Sequence, residues 1–442
     1  MSKGLTDQST EKKAEAASNA ALKLAGRSDA DRSGGLRNIA EAIDDAHDEI
    51  LQANEKDVRE AEQLLAAGEY SKAFVDRLEL SPAKLDSISE MVRSVADQDD
   101  PLGRTQSAVR LDEGLDLYRQ SVPIGVVGSI FESRPDALVQ IAALCLKSGN
   151  GAILKGGSEA LHTNRVLYEL IEEATRNLPD GWIQLIEARE DVDAMLDMDG
   201  YVDLIMPRGS TDFVRYIQEH TNIPVLGHAE GVCHVFVDRS ADLGKAEEIA
   251  FDAKVQYPAV CNAVETLLVH EAVADPFLPA IADRYQEAEV EMRGDAATRD
   301  IIDALPAQDA DWTTEYGDLI VAIRVVESLD EAIDHVIDFG SKHTDAIVTE
   351  DSDRAVRFMR SVDSSSVFHN ASTRFADGYR YGLGAEVGIS TGKTHARGPV
   401  GLEGLTTYKY LLEGDGHLVG DYVGTDARSY LHESFEGEWP PE

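Results

Sequence analysis

Basic residues are scarce in this 442-residue chain, 41 lysines and arginines against 82 aspartates and glutamates, and the imbalance removes one class of function at once. A nucleic-acid binder gathers cations along a face that follows phosphates; a formal net charge of −41 does the opposite, so no nucleic-acid partner is expected. Long apolar runs are missing too, with nothing near the roughly 20 residues that cross a bilayer. The polar start Met1-Ser-Lys-Gly-Leu-Thr-Asp-Gln lacks the apolar centre of a secretion signal. Cysteine is rare. The three, at 145, 233 and 261, cannot all pair and share no metal-ligand spacing, which points to a reducing cytoplasm. Twelve histidines without paired spacing give no reason to expect a metal.

What is present in excess is acid, and it is spread along the whole chain rather than gathered in a tail. Dispersed carboxylates with few lysines suit a halophilic protein, because concentrated salt screens the self-repulsion that such a surface carries. An acidic enzyme of ordinary salt is the other reading. Hydrophobic content of 43% fits a globular protein of two or three domains.

The first hundred residues are helical in pattern. Ala14 to Leu24, Leu36 to Ala53 and Glu55 to Ala67 have apolar spacing near the helical period, and Ser81-Pro82 starts another helix through Val95. From 107 to 122 the pattern alternates around Asp112-Glu113-Gly114, a hairpin. Such a hairpin is either an ordinary surface feature or a strand pair offered to another subunit, and a homo-oligomer is expected from the second reading. From Pro123 strands and helices alternate in the manner of a doubly wound α/β unit, whose last expected strand is Pro224-Val225-Leu226, and His234 begins a second one. The acidic residues 426 to 442 are expected to fray.

Three features carry chemistry. Cys261 follows the break at Pro258 and precedes the apolar strand Thr266 to His270, a junction that can hold a thiol still against a cleft. A small buried hydrophobe is the bland alternative. Two glycine turns, Lys155-Gly156-Gly157-Ser158 and Arg208-Gly209-Ser210-Thr211, each join a strand to a helix. Exposed amides at such a helix start favour phosphate, although neither turn matches G-x-G-x-x-G and both could be plain turns. Arg374 and Arg397 lie in polar C-terminal loops suited to gripping an anionic small-molecule substrate, or to pairing with the many surface acids. Cys145, Cys233 and His234 read as structural.

Several blocks together resemble the gamma-glutamyl phosphate reductases, the proline-biosynthesis branch of the aldehyde dehydrogenase superfamily. They are Gly125-Val-Val-Gly-Ser-Ile-Phe-Glu-Ser-Arg-Pro135, Leu144-Cys-Leu-Lys-Ser-Gly-Asn150, Lys155-Gly-Gly, Pro207-Arg-Gly209, Gly231-Val-Cys-His-Val235, Ala253 to Glu265, Asn370 to Phe375, and Gly384 to Tyr410. The resemblance implies an aldehyde dehydrogenase-like α/β fold, with two Rossmann-like three-layer domains and a small β-hairpin extension for oligomerisation. On that pattern 1–106 and 123–230 form the NADP-binding domain, 231–400 the catalytic domain, and 107–122 with 405–425 the oligomerisation piece.

It further implies that Cys261 is the nucleophile, with its backbone amide and Asn262 meeting the oxyanion. Lys155, Gly156, Gly157, Ser158, Arg208, Gly209, Ser210 and Glu315 would hold the cofactor. Ser158 stands where the wider superfamily has a ribose-binding acid, which favours NADPH over NADH. Arg134, Arg374 and Arg397 would hold the substrate. Gly227 stands where hydrolytic members carry the glutamate that activates water. The implied reaction is NADPH-dependent reduction of L-glutamyl 5-phosphate to glutamate 5-semialdehyde through a cysteine thioester, with a separate glutamate 5-kinase as a partner that supplies the labile substrate. An oxidative aldehyde dehydrogenase and a silent NADP(H)-binding protein are the rivals.

Overall fold

A computed structural model describes residues 10–441 apart from 71, 133, 189, 210, 228 and 229 and the side chains of 73 and 211. Ser210 and His228 therefore lie outside the described residues. Two parallel sheets and one antiparallel sheet organise the chain. The first parallel sheet runs in the order Ile183–Leu185, Gly151–Gly156, Val126–Phe131, Leu204–Arg208. Its order reverses beside the Val126–Phe131 strand, whose chain goes on to one neighbour first and reaches the other last. Such a switch point leaves a crevice at the strand carboxyl ends, here after Phe131 and Arg208. The wholly buried helix face Pro135–Lys147 covers this sheet.

The second sheet has seven parallel strands, with Cys233–Val237 and Val264–His270 adjacent near its middle. Both are buried along their full length, as strands covered on two faces must be. Its separate core gathers around Phe277, Leu278 and Ile281 of the helix Glu271–Glu287. The third sheet is antiparallel, Thr406–Glu413, Leu115–Pro123, Thr105–Asp112, Glu433–Phe435, and contains the expected hairpin.

Four local expectations need correction. The helix break expected at Asn54 falls at Ala46, between Asp29–Asp45 and His47–Ala66. Asn54 stays helical because its buried amide donates to the Leu78 carbonyl at 2.8 Å while its oxygen accepts from Leu80 N at 2.8 Å. The terminal residues are not frayed: Glu433–Phe435 pairs with the open edge of Thr105–Asp112, and Trp439 N donates to Thr105 Oγ1 at 2.9 Å. Phe435 meets Tyr118 edge to face at 5.9 Å, which supplies the apolar contact that composition alone did not reveal. The stretch ending near 400 does not stay with the second core, since Ala385, Val387, Val400 and Leu402 pack into the first. Finally, Pro224-Val-Leu is a single bridge, Val225 to Ile205, rather than a strand.

Candidate active site

Cys261 lies on a tight turn, closed by Ala263 N donating to the Val260 carbonyl at 2.9 Å, just before the strand Val264–His270. Pro258 ends the preceding helix Leu243–Val255, so the turn cannot slide into either element. The thiol is half-buried and faces a cleft of about 1150 Å³ between the two parallel sheets. Two contacts hold its backbone from behind. The buried Cys233 thiol donates to the Cys261 carbonyl at 3.2 Å, and Gly231 lies so close that a β-carbon there would meet the Cys261 carbonyl oxygen at 2.1 Å. Gly231 N in turn donates to Glu315 Oε2 at 2.8 Å, so one glycine ties the nucleophile turn to the glutamate across the cleft.

A buried ion pair stiffens the same wall. Lys254 Nζ reaches Glu265 Oε2 at 2.7 Å and the Asp318 carbonyl at 3.0 Å, while Gly317 N donates to Glu265 Oε1 at 3.2 Å. Both side chains are fully covered. Burial pushes the Glu265 carboxyl up to about 7 against the pull of Lys254, and burial likewise lowers Lys254. Breaking such a pair from one side costs about 3–5 kcal/mol, so it anchors the segment that carries Glu315.

The cleft gathers Arg134, Arg208, Gly209, Cys261, Asn262, Glu315 and Arg374, which the sequence had scattered over 240 positions. Arg208 Nη1 donates to Gln140 Oε1 at 3.4 Å, and Arg374 Nε to Gln256 Oε1 at 3.0 Å. Burial lowers the pKa of Arg208, and the neighbouring Arg134 lowers it further, against the raising effect of Glu386, Asp136 and Cys261. Burial and then Arg380 lower Arg374, against Asp377, Asp252 and Cys261. Cys261 thus lies within electrostatic reach of both Arg208 and Arg374, in a cleft that Arg134 and Arg380 also line. Sequence reasoning missed Arg380, Gln140, Gln256 and Gly231. Gly231 and Gln256 carried a signal, since each lies in a matched block.

Other expected roles fare differently. The Asn262 amide nitrogen donates to the Ala376 carbonyl at 2.8 Å, and its buried oxygen has no partner among the described residues. Asn262 therefore ties the turn bearing Arg374 to the Cys261 turn, and the backbone N–H of Cys261 has no acceptor among the described residues. Arg397 lies outside the cleft in a separate depression, held by Asp363 through Nη1 at 3.1 Å and through the Asp363 carbonyl at 2.7 Å. An acid close at hand captured it, the outcome a carboxylate-rich surface favours.

Lys155 and Gly156 end the strand Gly151–Gly156 and Gly157 and Ser158 follow it, and none of the four lines the cleft. Ser158 is no helix cap: a short 3₁₀ turn, Ser158–Ala160, precedes the helix Leu161–Ala174. The amides of His162 and Thr163 at that helix start are taken by the Asp57 carboxylate at 3.0 and 2.8 Å, which leaves them unavailable to a phosphate. Glu159 also folds back over Gly157, so the turn is not free of carboxylate despite Ser158. Gly227 lines the cleft and brings no side chain to the place of a water-activating glutamate.

Known proteins match this arrangement. Residues 3–302 match the model of the aldehyde dehydrogenase family. The gamma-glutamyl phosphate reductase of Natronomonas pharaonis is 70% identical over 436 residues, 98% of this chain and 100% of that protein. That of Haloquadratum walsbyi is 62% identical over 441 residues, 98% of this chain and 97% of that protein. The chain belongs to the gamma-glutamyl phosphate reductases of the aldehyde dehydrogenase family. In shape it matches the crystal structure of the Thermotoga maritima gamma-glutamyl phosphate reductase, with a TM-score of 0.89 at 40% identity over 93% of this chain and 100% of that one. The aldehyde dehydrogenase-like fold is thereby established.

Proposed function

We propose that this chain reduces L-glutamyl 5-phosphate to L-glutamate 5-semialdehyde and phosphate, in proline biosynthesis, with Cys261 as nucleophile and NADPH as reductant. The observation that carries the reading is Cys261 on a fixed turn in a cleft that Arg134, Arg208, Arg374 and Arg380 also line, in a chain otherwise rich in acid. An acyl phosphate of a dicarboxylic amino acid has an anion at each end, and this cleft gathers several guanidiniums with the thiol.

The Cys261 thiolate forms the C–S bond at the acyl carbon, while the Cys261 N–H donates to the developing oxyanion. Phosphate departs with the electron pair of the C–O bond, received by a cleft guanidinium. The thioester that remains is protected from hydrolysis because Gly227 supplies no base to the cleft. When bound, a reduced nicotinamide cofactor would supply hydride to the thioester carbonyl. The resulting hemithioacetal oxyanion, received by the Cys261 N–H, collapses with cleavage of the C–S bond, which releases the aldehyde and returns the Cys261 thiolate.

The donor set fits a dinucleotide. The cleft opens at the switch point of the first sheet, Gly209 lets the backbone approach closely, and the Glu315 carboxylate is already oriented by Gly231 N. Gly209 and Glu315 are the cofactor residues this supports; Arg208, expected beside them, is held by Gln140 among the cations we assign to the substrate, and Lys155, Gly156, Gly157 and Ser158 belong to the neighbouring turn. Ser158 in place of an acid supports NADPH, and Glu159 makes the ratio of kcat/KM for NADPH and NADH worth measuring.

The decisive experiment runs the reaction backwards in molar salt, following NADP⁺ reduction with glutamate semialdehyde and with or without phosphate. Phosphate-dependent turnover is expected. Turnover indifferent to phosphate would instead indicate an oxidative aldehyde dehydrogenase.

No helix among the described residues is long and apolar enough to cross a membrane, and we place the chain in the cytoplasm, receiving its labile substrate from a glutamate 5-kinase. We also infer a homo-oligomer. The outer edge strand Thr406–Glu413 exposes Tyr408, Tyr410 and Leu412, at 44%, 61% and 58%, beside unpaired backbone groups. Leu412→Lys is expected to shift the chain to a smaller species in sedimentation; an unchanged oligomer would place the interface elsewhere.

A further inference from the structure

We propose that Gln140 and Gln256 determine substrate specificity, by orienting the two inner arginines with uncharged oxygens so that Arg208 and Arg374 keep their positive charge for the anionic ends of the substrate. The inference rests on the acyl-phosphate reading above and deepens it.

With two acids for every base, many cations among the described residues meet a carboxylate; Arg165 with Glu187, Arg354 with Asp238 and Arg397 with Asp363 show the pattern. Arg208 and Arg374 depart from it. Each has a half-buried or buried guanidinium facing the cleft, and neither forms an ion pair with a described residue. The side-chain partner of each is instead a glutamine oxygen. Leaving a covered guanidinium with no carboxylate in direct contact is unfavourable, and the cleft accepts that twice.

An amide oxygen takes a single N–H and sets the plane of the guanidinium, and the remaining N–H groups stay available for a bidentate partner. A carboxylate in the same place would neutralise the cation and compete with the ligand. Asp252 shows that such a carboxylate is within reach of this helix, one turn before Gln256 and near enough to influence Arg374. Gln140 occupies the matching position on the opposite wall, in the helix Pro135–Lys147. Two sites held this way match a substrate with two anions, one leaving and one retained. They discriminate against a neutral aldehyde, which would leave both arginines covered and unpaired.

The test compares charge at constant shape. Gln140→Glu and Gln256→Glu are measured against Gln140→Met and Gln256→Met, which remove the acceptor without adding charge. In the phosphate-dependent reverse reaction, KM is determined for phosphate, semialdehyde and NADP⁺, together with kcat. Each Glu variant is expected to raise KM for one of the two anionic substrates about tenfold or more above its Met counterpart. KM for NADP⁺ should stay within about twofold. Which substrate responds assigns phosphate to one arginine and carboxylate to the other. Equal KM values in Glu and Met variants would overturn the inference, as would a uniform rise in all three constants.

A wild-type chain with no phosphate-dependent turnover would sink the underlying reading and not this one. The inference is then read without turnover, from the phosphate concentration that half-protects Cys261 against an alkylating reagent. The Glu variants should need about tenfold more phosphate at one of the two positions; equal protection at both would overturn it.

Discussion

Replacing Cys261 by alanine is expected to lower kcat for glutamyl phosphate reduction by about ten-thousand-fold or more, the scale seen when an enzyme loses its attacking atom. No neighbour can substitute. Cys233 is fully buried with its thiol on the Cys261 carbonyl, and Cys145 is buried in the helix Pro135–Lys147. The fold should be unaffected, because Cys261 lies on a turn, half-exposed to the cleft, and the removed sulfur leaves no closed cavity. The measurement is steady-state turnover beside thermal unfolding and NADPH binding. Retained cofactor binding with lost turnover supports covalent catalysis. Turnover within a hundredfold of wild type would mean that hydride reaches the acyl phosphate directly and that the thioester is not an obligatory intermediate.

Gly231→Ala should be nearly as damaging, although Gly231 touches no substrate. Its α-hydrogens face the Cys261 backbone so closely that a β-carbon would meet the Cys261 oxygen, α-carbon and carbonyl carbon at 2.1, 2.5 and 2.6 Å. No rotamer relieves an overlap with backbone, so the strand Cys233–Val237 and the nucleophile turn must separate. Even a shift of about 1 Å at a reacting atom costs on the order of a hundredfold in rate. The same movement pulls Gly231 N from Glu315, which should raise KM for the cofactor as well. We expect kcat to fall about a hundredfold with a folded, soluble protein, read by turnover and by the rate of Cys261 alkylation. An unchanged kcat would show that the turn can yield without moving the thiol.

These two residues differ in how visible they were. Cys261 stood out because its determinants are local: a proline break before it and an apolar strand after it, within a dozen positions. The role of Gly231 depends on a neighbour 30 positions away, brought close when two parallel strands pair, and no spacing rule reports that. The two turns at 155–158 and 208–211 looked alike in sequence. Only one keeps its place in the cleft, because Asp57, from a helix a hundred positions earlier, caps the helix after the first. Arg374 and Arg397 were equally plausible anion holders until Gln256 was found beside one and Asp363 beside the other.

The acid-rich composition, the order of helices and strands, the hairpin, the α/β class and the placing of Cys261 on a turn before a buried strand were determined by the sequence itself, because each rests on periodicity, turn chemistry or residues adjacent in the chain. The tertiary structure alone decided which cations remain uncompensated, which helix start is already capped, which glycine the nucleophile leans on, and that the acidic terminal segment completes a sheet. Those are matters of what lies within a few ångströms, and in a chain where carboxylates are everywhere, distance rather than residue type settles which charge is left to do chemistry.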